Sequence, residues 1–158
     1  MTEMKINLDQ KAAHYAQQMV INAKCIKVKN PVKTLENLVT KTLGVLQEQG
    51  IYAMMLFLFS RTSDEREIAP VIRMQLFRLL KDNEQDHQIP AFADKNVPVD
   101  EADAQKVLEF YSDQVLDNLD LTFLIRDLYE QTLIYARYGA KAEKESDSKS
   151  EEESMVEM

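Results

Sequence analysis

The sequence predicts an all-α fold: a compact bundle of about six helices with a disordered acidic C-terminal tail. Three observations carry this. Apolar residues recur at three- and four-residue steps in nearly every hydrophobic segment, the spacing of one helical face. Only 3 glycines and 4 prolines occur in 158 residues, few for the many turns of a sheet protein. Apolar residues make up 45% of the chain, enough for one self-sufficient core in a domain of ordinary size. The predicted organisation is a single helical domain over 1–140 and a charged tail over 141–158.

The first helix is predicted from about Leu8 to Lys24, because Asn7 and Gln10 stand at capping-box spacing ahead of Ala12, Ala13, Ala16, Met19, Val20 and Ala23. A short connector with Lys24, Lys27 and Lys29 leads to Asn30-Pro31, read as a cap followed by proline in the first turn. Leu35, Leu38, Val39, Thr42 and Leu46 mark one face of a second helix that stops near Gly50. The apolar run from Ile51 to Phe59 is too short for its period to separate strand from helix. Its Ala, Met and Leu content favours helix, and no partner strand is visible. Thr62 and Glu65 form another capping pair, and Pro70 is expected to break or kink an element that continues through Ile72, Leu76, Leu79 and Leu80.

Asp82 to Val99 is polar, contains Pro90 and Pro98, and reads as a connector. Asp100, with Glu101 and Asp103 in its first turn, is expected to start a helix along Val107, Phe110, Tyr111 and Val115. After a break at Leu119 or Asp120, the last helix shows Leu121, Leu124, Ile125, Leu128, Thr132 and Tyr135 on one face. Leu133, Ile134 and Tyr138 add a second, so this helix needs neighbours on more than one side. It is expected to end at Gly139, where the charged tail begins.

The single cysteine, Cys25, excludes an intramolecular disulfide framework and fits a reducing compartment. No basic-then-apolar signal opens the chain, and Ile51–Phe59 is far short of a membrane span, so a cytoplasmic protein without a membrane partner is expected. The net charge of −8 is unevenly spread: residues 1–50 hold seven lysines and four acids, whereas 141–158 hold three lysines and seven acids. Screening over about 8–10 Å lets a basic N-terminal face exist on an acidic protein.

Enzyme signatures are lacking. Asp82-Asn-Glu-Gln-Asp-His87 has the alternating oxygens of a calcium loop, but His87 stands where the turn needs glycine and Ala93 where the bidentate Glu belongs. Glu84 and His87 have the Glu-x-x-His spacing of di-iron bundles, which require two such pairs and further carboxylates. There is no Gly-rich phosphate loop, no Cys/His zinc cluster and no nucleophile signature. A non-enzyme is expected, with no catalytic residue, metal or cofactor.

The positive signal is basic. Lys24, Lys27, Lys29, Lys33 and Lys41 gather around the first connector and second helix, and Arg61, Arg66, Arg73 and Arg78 follow. Such a surface suits phosphates held by charge without sequence readout; solvated surface lysines are the competing explanation. Tyr15, Tyr52, Tyr111 and Tyr135 have the chemistry to stack on bases, but at helical spacing such residues more often belong to the core.

Three segments together resemble the small subunit of the Cmr-type (type III-B) CRISPR RNA-guided effector complex. Leu8-Asp-Gln-Lys-Ala-Ala-His-Tyr-Ala16 is similar to that family's opening helix. Leu38-Val-Thr-Lys-Thr-Leu, followed by Gln49-Gly-Ile-Tyr-Ala-Met-Met-Leu-Phe-Leu58, is similar to its central pattern of a leucine/lysine helix, a glycine break and an apolar helix. Glu130-Gln-Thr-Leu-Ile-Tyr-Ala-Arg-Tyr-Gly-Ala140 is similar to its closing helix ahead of a charged tail. The resemblance implies a non-catalytic helical subunit of an antiviral-defence ribonucleoprotein. It would stack with copies of itself along the guide RNA and target RNA, against the RNA-cleaving backbone subunit and the large signalling subunit. Lys41 and Arg137 match basic positions of the family pattern. Lys24, Lys27, Lys29, Arg73 and Arg78 join Lys41 as RNA-binding candidates from the charge distribution, while Arg137 and Tyr138 are subunit-interface candidates. Arg137 is expected to pair either with a neighbouring helix or with the next copy in a stack. The rival expectation is a helical adaptor or assembly factor with no nucleic-acid role.

Overall fold

A computed structural model describes the backbone of residues 7–81 and 103–156, and side chains as far as Glu143. Among the described residues the fold is all-α: α1 (Leu8–Ala23), α2 (Pro31–Gln49), α3 (Ile51–Phe59), α4 (Ser63–Lys81), α5 (Ala104–Phe110), a π-helical segment (Tyr111–Val115) and α6 (Leu119–Val156). None of these helices is long and apolar enough to cross a membrane.

The boundaries follow from local chemistry. Asn7 caps α1, its side chain accepting the Gln10 amide at 3.0 Å. Pro31 opens α2 as expected, but Asn30 makes no side-chain cap bond; the proline's fixed φ and missing N–H suit the first turn without one. Gly50 ends α2 and starts α3 at φ 96°, ψ −175°, a conformation essentially reserved for glycine. Its amide bonds the Leu46 carbonyl and its carbonyl receives the Met54 amide, so one residue serves two helices. Asn118 sets the start of α6 by accepting the Leu121 amide at 3.1 Å.

Three boundaries differ from the sequence expectation. Pro70 lies inside an unbroken α4, where it removes the N–H that would bond one turn back. Asp103 is the N-cap of α5, bonded to the Lys106 amide at 3.2 Å, and not a first-turn residue; Asp100, Glu101 and the Asp82–Val99 connector lie outside the described residues. The backbone of α6 does not stop at Gly139 but stays helical to Val156. Ala142 and the glutamates and lysines beyond it are good helix formers, and Lys141/Glu145 and Lys149/Glu153 are at i,i+4 spacing, so the local sequence favours helix past the glycine.

α6 is the central helix. It runs parallel to α1: Tyr135 meets Asp9 near the start of α1, Gly139 faces Val20, and Glu143 meets Lys24 at its end. It runs antiparallel to α2, whose Gln47 carbonyl accepts from Arg126 at 2.5 Å and whose Gln47 side-chain amide reaches Glu130 at 3.2 Å. Gly139 allows α1 to come close, since a Cβ there would already lie 3.4 Å from the Val20 methyl. α4 packs across α1 and α2, with α3, α5 and the π segment on the remaining side. Thr42 and Thr132, on otherwise apolar faces, are fully buried because each hydroxyl bonds its own helix, at Leu38 and Leu128.

The π segment is the feature that periodicity does not reveal. Tyr111 and Tyr129 are both wholly buried, with hydroxyls 2.6 Å apart, and Tyr129 donates onward to the Leu76 carbonyl at 3.3 Å. Burial pushes both phenols well above their ordinary pKa, so both remain neutral donors. The chain ties α4, the π segment and α6 at one point, and Phe77 and Phe110 pack around it. Tyr15 is likewise buried, whereas Tyr52 and Tyr135 keep partial exposure.

Candidate nucleic-acid interface

The predicted basic residues fall into three groups. Lys24, at the end of α1, and Lys27, Lys29 and Lys33, on the connector and first turn of α2, are exposed at one end of the bundle. Chain connectivity alone gathers them: α1 ends at Ala23 and α2 begins at Pro31, so these lysines sit where two helices turn. Lys24 pairs with Glu143 of α6. Lys27, Lys29 and Lys33 have no acidic partner among the described residues, leaving three ammonium groups free to meet an anion.

Lys41 is exposed on α2, two turns beyond Lys33, about 12 Å at 1.5 Å per residue. It pairs with Glu65 at 3.0 Å, and Glu65 also lies 3.6 Å from Arg61. Exposed ion pairs of this kind are worth about 0–1 kcal/mol, so a phosphate can displace the carboxylate at little cost. Arg78 is exposed but distant. The nearby Leu76 is held by Tyr129, fourteen residues along α6 from the Glu143 that holds Lys24, an axial separation of about 21 Å. It does not extend the lysine cluster.

Arg73 is a correction. It is 8% exposed, its guanidinium lies 4.1 Å from the Phe59 ring centre, and it donates to the Leu58 carbonyl at 3.3 Å. α3 is nine residues long and apolar, so its last carbonyls draw on donors from beyond the helix; Ser60 gives the Phe57 carbonyl its amide at 3.1 Å and its hydroxyl at 2.8 Å. Arg73 supplies one donor. Arg61 supplies another, bonding the Phe57 carbonyl at 2.9 Å while lying over that residue's ring at 3.7 Å. Both cations also oppose the negative end of the helix dipole. Two arginines that counted as surface charge in the sequence are thus used to finish an apolar helix, and Arg73 is not available to RNA.

Arg137 and Tyr138 both face outward, Tyr138 with 65% of its surface exposed. Arg137 forms no ion pair among the described residues. Further exposed apolar residues, Leu116, Leu119 and Phe123, cluster in sequence at the start of α6.

Sequence reasoning missed a groove between α1 and α6. Ala13, Ala16, Val20 and Gly139 are among its lining residues, together with Ile21 and Tyr135, and the Lys24–Glu143 pair stands at its end. Its volume is about 340 Å³. Tyr135 donates to the Asp9 carboxylate beside it, a bond that exists only with the phenol protonated and so raises the Tyr135 pKa. The signal for the groove was present as small residues on both helices, but their meeting depends on α1 and α6 running parallel.

Among the described residues no three His, Cys, Asp or Glu side chains converge on a possible metal position; Glu84 and His87 lie outside that set. No protein-family model matches this chain, and no curated protein or solved structure gives a significant match.

Proposed function

We propose that this chain is a non-catalytic small subunit of a type III-B CRISPR RNA-guided ribonucleoprotein, acting in the cytoplasm in antiviral defence. In this reading it stacks with copies of itself along the guide–target RNA, beside the RNA-cleaving backbone subunit and the large signalling subunit. The observation that carries the RNA role is the lysine cluster of the α1–α2 connector: Lys27, Lys29 and Lys33 exposed without acidic partners among the described residues, with Lys24 adjoining. Ammonium groups on a turn can follow a phosphate backbone by charge and shape, without reading bases. Lys41 and Arg78 are secondary contacts, and Arg137 and Tyr138 face the neighbouring subunit. The three sequence segments in family order supply the identity of the complex.

The second reading, a helical adaptor without nucleic acid, is favoured by the exposed Leu116, Leu119 and Phe123 and by an isoelectric point near 4.8. One experiment separates them. The chain is reconstituted with its proposed partner subunits and guide RNA, and target-RNA retention is measured against salt. Removing one lysine–phosphate interaction lowers the slope of log affinity against log salt by about 0.7 for single-stranded RNA. The double reversal Lys27→Glu with Lys29→Glu is expected to reduce retention alike for all RNA sequences. Unchanged retention and slope in a correctly assembled complex would leave the adaptor as the better reading.

A further inference from the structure

Exposed apolar side chains are not scattered over this bundle. Of the seven large ones among the described residues, Leu116, Leu119 and Phe123 lie where the π segment turns into α6, and Tyr52 and Leu56 lie one turn apart on α3, which packs against the π segment. The turn that carries the first three is braced. The Leu116 amide bonds the Tyr111 carbonyl at 2.9 Å, and the Asn118 amide bonds the Val115 carbonyl at 3.2 Å. The Thr122 hydroxyl lies 2.9 Å from the Val115 carbonyl and 2.8 Å from that of Asn118. Two leucines and a phenylalanine are thus held in water on a backbone fixed by its own hydrogen bonds, so little ordering is lost when a partner covers them. Asp113, Asp117 and Asp120 adjoin them in the chain, all exposed and without an ion pair among the described residues. From Glu109 to Asp127 there are five acids and one cation, Arg126, whose guanidinium is engaged at the Gln47 carbonyl.

We propose that the surface of Leu116, Leu119 and Phe123, with its aspartates, docks a basic amphipathic helix of a partner protein. Leu119 and Phe123 are one turn apart, about 6 Å along α6. A partner helix with apolar residues at i and i+4 offers anchors at the same interval, and Lys or Arg flanking those anchors meets Asp113, Asp117 and Asp120. A phosphate backbone would be repelled by the same aspartates. This chain's own cations do not supply the partner. Lys27, Lys29 and Lys33 bring charge, but Ile26 and Val28 among them pack on their own core. The connector of a second copy would therefore meet the aspartates and leave the apolar side chains in water. Leu119 lies about 36 Å along α6 from Glu143, the partner of Lys24, so the docked helix and the RNA proposed above occupy opposite ends of the bundle.

The test needs no RNA, so its outcome is independent of the proposed function. The probe is a synthetic leucine–lysine peptide whose leucines share one helical face, titrated into the full chain by isothermal calorimetry. The comparison is the same composition scrambled so that no face is apolar. One equivalent of the first peptide should bind, more weakly as salt is raised, and the scrambled peptide should bind roughly tenfold more weakly still. Leu119→Ser with Phe123→Ser should lower the affinity by about tenfold or more while circular dichroism stays unchanged, both side chains being exposed. Asp113→Asn, Asp117→Asn and Asp120→Asn together should lower it at low salt and flatten its salt dependence. Glu151→Gln, Glu152→Gln and Glu153→Gln together, in the acidic tail, should leave it unchanged. No binding, equal binding of the two peptides, or a loss in the tail variant matching that in the aspartate variant would each overturn the proposal. So would self-association of the full chain in sedimentation equilibrium that Leu119→Ser with Phe123→Ser abolishes, since a second copy would then be the occupant.

Discussion

Changing Tyr129 to Phe removes one oxygen and disturbs two partners. Its hydroxyl donates to the Leu76 carbonyl at 3.3 Å and accepts from Tyr111 at 2.6 Å, with both rings fully buried. The direction of the relay makes the two tyrosines unequal. In Tyr111→Phe, Tyr129 still has its acceptor at Leu76, and the loss is one net hydrogen bond, about 1 kcal/mol. In Tyr129→Phe, the Tyr111 hydroxyl is left in the core without an acceptor, which adds a desolvation penalty and raises the cost to about 2–3 kcal/mol. The double variant leaves no orphan, so its cost should fall below the sum of the singles by about 1 kcal/mol. Urea unfolding followed by far-ultraviolet circular dichroism measures all three, with an unchanged m-value as the check on two-state comparison. In thermal scans each kcal/mol corresponds to about 2–4 °C in a chain of this size. If Tyr111→Phe cost as much as Tyr129→Phe, or if the two costs simply added, the donor order drawn from the structure would be wrong.

Three further expectations concern stability. Gly50→Ala should destabilise by about 1–3 kcal/mol through its φ of 96° alone, since nothing lies within 4 Å of an added Cβ. Gly44→Ala, equally unobstructed but inside α2, should instead stabilise by about 0.5–1 kcal/mol, and urea midpoints of opposite sign are the check. Gln75 is fully buried on α4 with neither amide atom hydrogen-bonded, so Gln75→Met, of similar shape, should raise the melting temperature by several degrees, an orphaned polar group costing about 1–3 kcal/mol. A lower melting temperature would mean that the amide is satisfied in solution.

The helices were legible because their signals are local. Asn7 before an alanine-rich period, Pro31 at a first turn, Gly50 after Leu46 and the break ahead of Leu121 each act within about one turn, and the three- and four-residue spacing marked the buried faces. The apolar run Ile51–Phe59 was settled correctly as helix by composition. Local signals also fell short at two places: of the break or kink expected at Pro70 the break does not occur, and Gly139 did not end α6. In the first, packing of the surrounding apolar residues outweighs one missing hydrogen bond; in the second, the close approach to Val20 gives the glycine a role inside the helix.

The basic surface was only partly legible, because a charge in a sequence carries no direction. Nothing around Arg73 shows that it turns inward to finish a helix fifteen residues earlier, or that Arg61 does the same beside it. Lys24 finds its acid 119 residues away and Lys41 24 residues away, so which lysines are engaged and which stand free depends on the order of helix packing. That this chain is helical, where most helices lie and which faces are apolar all follow from periods of three and four residues, and so were written in the order of the amino acids. Packing settled that α1 and α6 run parallel with a groove between them. It also settled that two tyrosines bind a π segment into the core, and that the acidic and basic segments leave the bundle at one end. Each depends on contacts between residues far apart in the chain, which no local period encodes.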